Sequence, residues 1–340
     1  GAQVLRYWRG TGTAMAFSNG RRETVLVTGG AGFIGSHLVT RLLDCGYAVT
    51  VLDNLSSGTA ENLDMQHARL SFIEGDVRSA EDCCRAMVGA VCVFHLAAMS
   101  KVAPSLGGPE ASDFCQSTNV GGTLNVLRAA YNSSLKPKVI YAASSTCYGN
   151  RQIPHCETQL PDLITPYAVS KHQGELLVQM YSRVHGLRTC SLRFFMVYGP
   201  RQPLAGAYAT VNGIFLRQAL AGESLTVEGA GDQTRDFIHV DDVVSALMAA
   251  MKAKAARDGQ SINVGTGAAH SIAAVASIVS QEVAAVTGRP PVGVVHTAAR
   301  AFDMAATQAS TSLASKLLYW SAVVPFEHGL RGWVQRELGH

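Results

Sequence analysis

The 340-residue sequence lacks any apolar run of membrane-spanning length: its hydrophobic residues, 47% of the total, fall in short runs broken by Gly, Asp and Asn. No membrane partner is expected. It also lacks a strong charge of either sign, since 28 Lys and Arg against 25 Asp and Glu leave a formal net charge of +3. The basic residues are scattered, not gathered into a stripe, which argues against a nucleic-acid partner and for small-molecule chemistry. Paired CxxC spacings are missing among the eight cysteines (Cys45, Cys83, Cys84, Cys92, Cys115, Cys147, Cys156 and Cys190). Several of these sit inside apolar runs as small hydrophobes, so no metal site is expected and the usage fits a reducing, cytoplasmic compartment. Residues 1–22 lack acidic side chains and any apolar core for a signal peptide, and carry Arg6, Arg9, Arg21 and Arg22. They are expected to be a disordered tail, with an organelle transit peptide as the alternative reading.

What is present from Glu23 onward is an alternation of β-branched runs and helical patterns. The runs 24–28, 48–53, 70–74, 91–96, 138–143 and 189–194 read as strands, and in the stretch 34–45 Ile34, Leu38, Val39, Leu42 and Leu43 fall on one helical face. This alternation predicts an α/β protein with a Rossmann-type, doubly wound parallel sheet. After Tyr198 the pattern is punctuated by Gly199, Pro200, Pro203, Gly206, Gly229 and Gly231. A first domain over 23–196 and a smaller C-terminal α/β domain over 197–340 are expected, with about 236–266 returning to the first.

The segment TGGAGFIG, Thr28 to Gly35, lies where the first strand turns into the first helix. Gly29, Gly32 and Gly35 there allow a tight turn, a close approach of backbone to a pyrophosphate and close helix–strand packing, while the unpaired amides of the helix start attract phosphate. Phe33 and Ile34 belong to the same cradle. Asp53 ends the second strand, where a carboxylate accepts from both adenosine ribose hydroxyls and repels a 2′-phosphate, so NAD is the expected cofactor. Asn54, Ser57 and Gly58 are expected beside the adenosine, Asp76 and Val77 to flank the adenine, and Leu96, Ala97 and Ala98 to line the same site.

In YAVSK, Tyr167 and Lys171 share a helix face at i and i+4. A phenol beside an ammonium titrates lower, and positive charge from Lys171 and from an oxidised nicotinamide ring would bring Tyr167 toward a general base near neutral pH. Ser144, Ser145 and Thr146 follow the fifth strand at the carboxyl edge of the sheet, where one hydroxyl can orient a substrate; for Ser145 an ST-turn is the preferred reading.

Together, TGGAGFIG, Asp53, HLAA at 95–98, SSTCYG at 144–149, YAVSK, LRFFMVYGPRQ at 192–202 and QTRDFIHVDD at 233–242 resemble the extended short-chain dehydrogenase/reductase family. The resemblance covers nearly everything after Glu23. Within that family the chain is most similar to NAD-dependent nucleotide-sugar epimerases and dehydratases, above all the 4-epimerases of UDP-glucose and UDP-N-acetylglucosamine. The resemblance implies Ser144, Tyr167 and Lys171 as the catalytic set, Arg235 and Arg300 on the substrate diphosphate, Thr307 beside the sugar 2-substituent, and a structural role for Asn119. It also implies a nucleotide-diphosphate sugar as partner, a UDP-hexose whose C4 is inverted through a 4-keto sugar, and a homodimer formed by 118–131 and 167–185.

Three positions depart from the family's pattern: Met196 stands where an Asn contacts the phosphates, Phe302 where a Gly is usual, and Ser310 where an Asp is common. Ser145 and Thr146 replace the Asp-Glu pair of the family's dehydratases, which disfavours that reaction. A reductase, a decarboxylase or a catalytically silent NAD-binding protein are the alternatives.

Overall fold

The computed structural model describes residues 23–100, 102–256, 258–300 and 302–339; the tail expected over 1–22 lies outside them. The first half alternates strand and helix: β1 (Thr24–Thr28), α1 (Phe33–Asp44), β2 (Ala48–Asp53), β3 (Leu70–Glu74), α2 (Ala80–Ala86), β4 (Ala90–His95), α3 (Val102–Ser105), α4 (Pro109–Gln116), α5 (Gly122–Asn132), β5 (Lys138–Ser144), α6 (Pro166–His185) and β6 (Thr189–Phe194). The second half holds shorter elements: β7 (Met196–Tyr198), α7 (Val211–Ala221), β8 (Leu225–Glu228), β9 (Thr234–Arg235), β10 (Phe237–His239), α8 (Val240–Lys252), β11 (Gln260–Val264), β12 (His270–Ser271), α9 (Ile272–Thr287), β13 (Val294–Thr297), α10 (Ser312–Leu318) and α11 (Phe326–Glu337).

Seven strands form one parallel sheet in the order β11-β6-β5-β4-β1-β2-β3. The fold is therefore α/β of Rossmann type, with β11 reaching back to pair with β6 from Gln260↔Cys190 to Val264↔Phe194. Strand periodicity explains the layering. Val25 and Val27 point to one face, where Leu38 and Leu42 of α1 and Val243 and Leu247 of α8 cover them. Leu26 points to the other, packed with Val126 and Leu127 of α5 and Val178 and Tyr181 of α6. With both faces covered, β5 and β6 are buried at every residue, polar Thr189, Ser191 and Arg193 included. A third core of Phe215, Phe237, Val275, Val279, Phe326 and Trp333 holds the C-terminal helices together. Among the described residues no helix is long and apolar enough to cross a membrane.

Candidate active site

The order of strands reverses between β1 and β4, and a cavity opens there along the carboxyl ends of β2, β1, β4, β5 and β6. One end of it is made almost wholly by backbone. Gly29 adopts φ +71°, a left-handed conformation natural to glycine. At Gly35 a Cβ would lie 2.1 Å from the Gly29 carbonyl oxygen, so only glycine lets α1 start this close to β1. Gly32 is the N-cap of α1, with no side-chain cap and no acidic residue in the first turn, and the amides of that turn face the cavity uncapped. Phe33 and Ile34 line it as well.

Asp53 is buried beside this turn: Oδ2 accepts from the Ala31 amide and Oδ1 from the Leu55 amide, each at 2.9 Å. Each oxygen keeps a lone pair for a further donor. Asn54 donates through Nδ2 to Asp76 at 2.8 Å, and Arg78 grips the same carboxylate at 2.7 Å. Those bonds, Arg78 foremost, hold the Asp76 carboxyl down at about 2. Ser57, Val77, Leu96, Ala97 and Ala98 complete the lining, and Gly58 packs beneath it on Ala31. A bare glycine turn, an uncapped helix start and a buried carboxylate at ribose distance from it fit a dinucleotide.

The other end carries the titratable hydroxyls. Thr165 caps α6 by accepting from the Ala168 amide at 3.2 Å, and Pro166 follows at the first helical position. Tyr167 is thereby fixed in the first turn, and Lys171 lies one turn on, both lining the cavity. Ser144 ends β5; its Oγ accepts from the Thr146 amide at 3.3 Å, so Ser144, not Ser145, closes the turn after the strand. The Tyr167 phenol opens on the same cavity, where the Ser144 hydroxyl acts on it as a hydrogen-bonding neighbour.

The expected lowering of Tyr167 by Lys171 is not what the site shows. Burial pushes the phenol up to about 12, against the Ser144 hydrogen bond. Burial likewise pulls the Lys171 ammonium down to about 7, against the attraction of Glu175. Both charged forms lose more solvation than their neighbours return. Lys171 Nζ instead rests 4.4 Å from the centre of the Tyr141 ring.

Behind the pair, helical pattern gives way at Ser117–Gly121 to a π-turn, so the expected helix over 118–131 starts as α5 only at Gly122. Asn119 accounts for the bulge: its Oδ1 accepts from the Met99 amide at 2.8 Å, and its Nδ2 donates to the Met99 carbonyl at 3.1 Å and to Ser170 Oγ at 2.9 Å. It ties the β4 loop to α6.

Of the residues expected on substrate, Arg235 and Thr307 line the cavity, as does Met196. Arg235 is buried and bonds Asp303 at 2.6 Å. Arg300 is not brought there; it is exposed and pairs with Glu228 at 2.9 Å. Phe302 is exposed at φ +60°, a left-handed conformation natural to glycine. Sequence reasoning passed over Met99, Val102, Phe114, Gln202, Tyr208 and Met304, all of which line the cavity from loops and short helices. Loop residues carry no periodicity; a lone aromatic within the 205–209 stretch is the signal that could have found Tyr208.

The same architecture recurs in known proteins. Residues 25–265 match the model of the NAD dependent epimerase/dehydratase family. The UDP-glucose 4-epimerase of Mycolicibacterium smegmatis is 34% identical over 319 residues, 91% of this chain and 97% of that one. A UDP-N-acetyl-alpha-D-glucosaminuronate decarboxylase of Bacillus cytotoxicus is 36% identical over 266 residues, 76% of this chain and 80% of its own. The crystal structure of Thermotoga maritima UDP-glucose 4-epimerase with UDP-glucose superposes with a TM-score of 0.84 at 33% identity, covering 93% of this chain and all of that one. With the glycine turn, the buried Asp53 and the Tyr167–Lys171 pair in one cleft, the chain belongs to the NAD dependent epimerase/dehydratase family of enzymes, and its cofactor is NAD.

Proposed function

We propose that the enzyme interconverts UDP-hexoses at C4, UDP-glucose with UDP-galactose or their N-acetyl forms, through a 4-keto sugar. The observation that carries the reading is the buried Tyr167, which lines one cavity with Ser144, Lys171 and Arg235. Ser144 Oγ orients the sugar 4-hydroxyl, and Tyr167 takes its proton and returns it to the 4-oxygen after the keto sugar has turned its other face toward the hydride donor. NAD, when bound, accepts and returns the hydride at C4, and its oxidised ring carries the positive charge that favours a phenolate nearby. Lys171 holds its ammonium on the same side and binds the nicotinamide ribose. Arg235 neutralises the diphosphate, exchanging its bond to Asp303 for paired bonds to phosphate oxygens. Arg300 joins it after leaving Glu228. Thr307, small and buried, leaves room for a 2-acetamido group.

Epimerisation is favoured over elimination or decarboxylation by where the acids lie. Among the described residues lining the cavity the carboxylates are Asp53 and Asp76, at the end of β2 and beyond β3. In the sheet order β2 and β5 are three strand spacings apart, about 14 Å, so neither can serve a reaction at Ser144. Residues 23–196 form the cofactor domain in this reading and 197–340 the substrate domain, with 236–266 returning to the first. Two copies pair across α5 and α6, where Leu176 and Val184 are exposed. The test is to incubate the purified protein, without added coenzyme, with each of the four UDP-hexoses and separate the products. Interconversion is expected; its absence with all four sugars overturns the reading.

A further inference from the structure

The loop after β7 crosses from the sheet to α7 and passes over the reacting end of the cavity. Its two ends are pinned: Gln202 is buried, with Oε1 accepting from the Gly199 amide at 2.9 Å and Nε2 donating to Thr210 Oγ1 at 2.9 Å. Gly213 of α7 packs so closely under it that a Cβ would lie 2.7 Å from the Pro203 carbonyl oxygen. Between the pins run Pro203, Leu204, Ala205, Gly206, Ala207, Tyr208 and Ala209, with Gly206 at φ +80°. Ala205 to Ala207 are exposed, and Tyr208 turns inward to line the cavity. A loop whose one aromatic residue is Tyr208 thus delivers one ring to the site.

The place where that ring arrives is set by its neighbours. Burial raises the Tyr208 phenol, and the Cys115 thiol raises it further. Cys115 packs directly against Tyr167, with Val102 and Phe114 beside them. The loop follows β6 and β7, and β6 lies beside β5 and four strand positions from β2, so Tyr208 enters the cavity from the Ser144 and Tyr167 side, not from that of Asp53.

We propose that Tyr208 is a substrate-positioning residue that covers the hexose, its ring packed on the pyranose and its hydroxyl bonded to a sugar oxygen. The assignment rests on the UDP-hexose reading above. A ring held by pinned ends suits a sugar that must turn over while its diphosphate stays fixed, since it encloses the pyranose without adding a charged group that would fix one face. Proton transfer stays with Tyr167.

The test is a comparison of UDP with UDP-glucose, measured by calorimetric titration of the NAD-loaded protein in a Tyr167→Phe background where turnover is blocked. Adding Tyr208→Ala is expected to weaken UDP-glucose by roughly tenfold while UDP, which lacks the sugar, changes by less than about twofold. Tyr208→Phe, which keeps the ring, is expected to weaken UDP-glucose by only a few fold. In the otherwise wild-type enzyme, Tyr208→Ala should raise KM for UDP-glucose more than it lowers kcat. Equal losses for UDP and UDP-glucose, or no loss for either in the Tyr208→Ala protein, would overturn the proposal. Should Tyr208→Ala lose NAD or its cooperative melting, the Tyr208→Phe titration decides alone: unchanged UDP-glucose affinity overturns the hydroxyl contact. The broader reading fails separately, by no product from any UDP-hexose in the wild-type protein.

Discussion

The two ends of the cavity are built from different materials. The Asp53 end is backbone: a glycine turn, the uncapped amides of α1 and a carboxylate held by the Ala31 and Leu55 amides. The Arg235 end is side chain: ion pairs that bridge distant segments, Met196 and Met304, and a loop with one inward ring. Backbone geometry is set by the local sequence, so the first end arises from residues that are neighbours in the chain. The second exists only after segments more than sixty positions apart, such as Arg235 and Asp303, have met. One end is therefore suited to a constant cofactor and the other to a partner that differs among relatives.

Breaking the comparison at its chemical centre should give the largest effect. Tyr167→Phe removes the proton acceptor and is expected to lower turnover by about 10³-fold, general acid–base catalysis being worth 10² to 10⁴, while bound NAD released on denaturation stays at the wild-type amount. Next comes the backbone end. Gly35→Ala places a methyl where the Gly29 carbonyl oxygen already lies, so α1 must move away from β1. NAD content after purification is expected to fall by roughly tenfold or more, with lowered thermal stability; an unchanged content would show that the cradle tolerates displacement.

The pH dependence sharpens the contrast at the pair itself. Lys171 titrates near 7 in the folded chain and near 10.5 unfolded, so the unfolded state binds more protons between those values and stability rises with pH across that window. The cost of burying the ammonium is full below about pH 7 and gone above about 10.5. Lys171→Met should therefore raise the Tm of NAD-free protein more at pH 6 than at pH 9. An equal gain at both values would show that the group keeps an ordinary pKa. The smallest effect lies at the side-chain end. Phe302→Gly relieves a left-handed conformation costing an L-residue about 1–2 kcal/mol, offset by glycine's unfolded-state entropy of about 0.5–1 kcal/mol. A net gain below about 1 kcal/mol, read as a Tm rise of roughly 2 °C, is expected.

The same contrast explains what could be read before the structure. β1, β2, β3 and β6 begin and end where the runs read from the sequence do, since the strand pattern is set by residues that are neighbours in the chain. Tyr167 and Lys171 were legible because a capped helix start fixes their spacing. The π-turn was not, since its cause is the reach of Asn119 to the Met99 backbone, a contact between separate elements. Arg300 illustrates the limit: the motif around it is recognisable, but its bond to Glu228 depends on how β13 pairs with β8. Tyr167 itself shows that spacing alone does not set a pKa, since the solvation lost on burial outweighs a helical neighbour.

The return of β11 to the sheet has a consequence for how such a chain is made and diversified. Until residue 264 has left the ribosome, β6 presents an unpaired edge and the face carrying Val25 and Val27 lacks the Val243 and Leu247 of α8. A nascent chain stopped before that point is an aggregation hazard, not half an enzyme. Recombination that exchanged everything after Tyr198 would also replace the seventh strand, so new specificities are more readily gained by altering single loops than by trading the C-terminal half as a cassette.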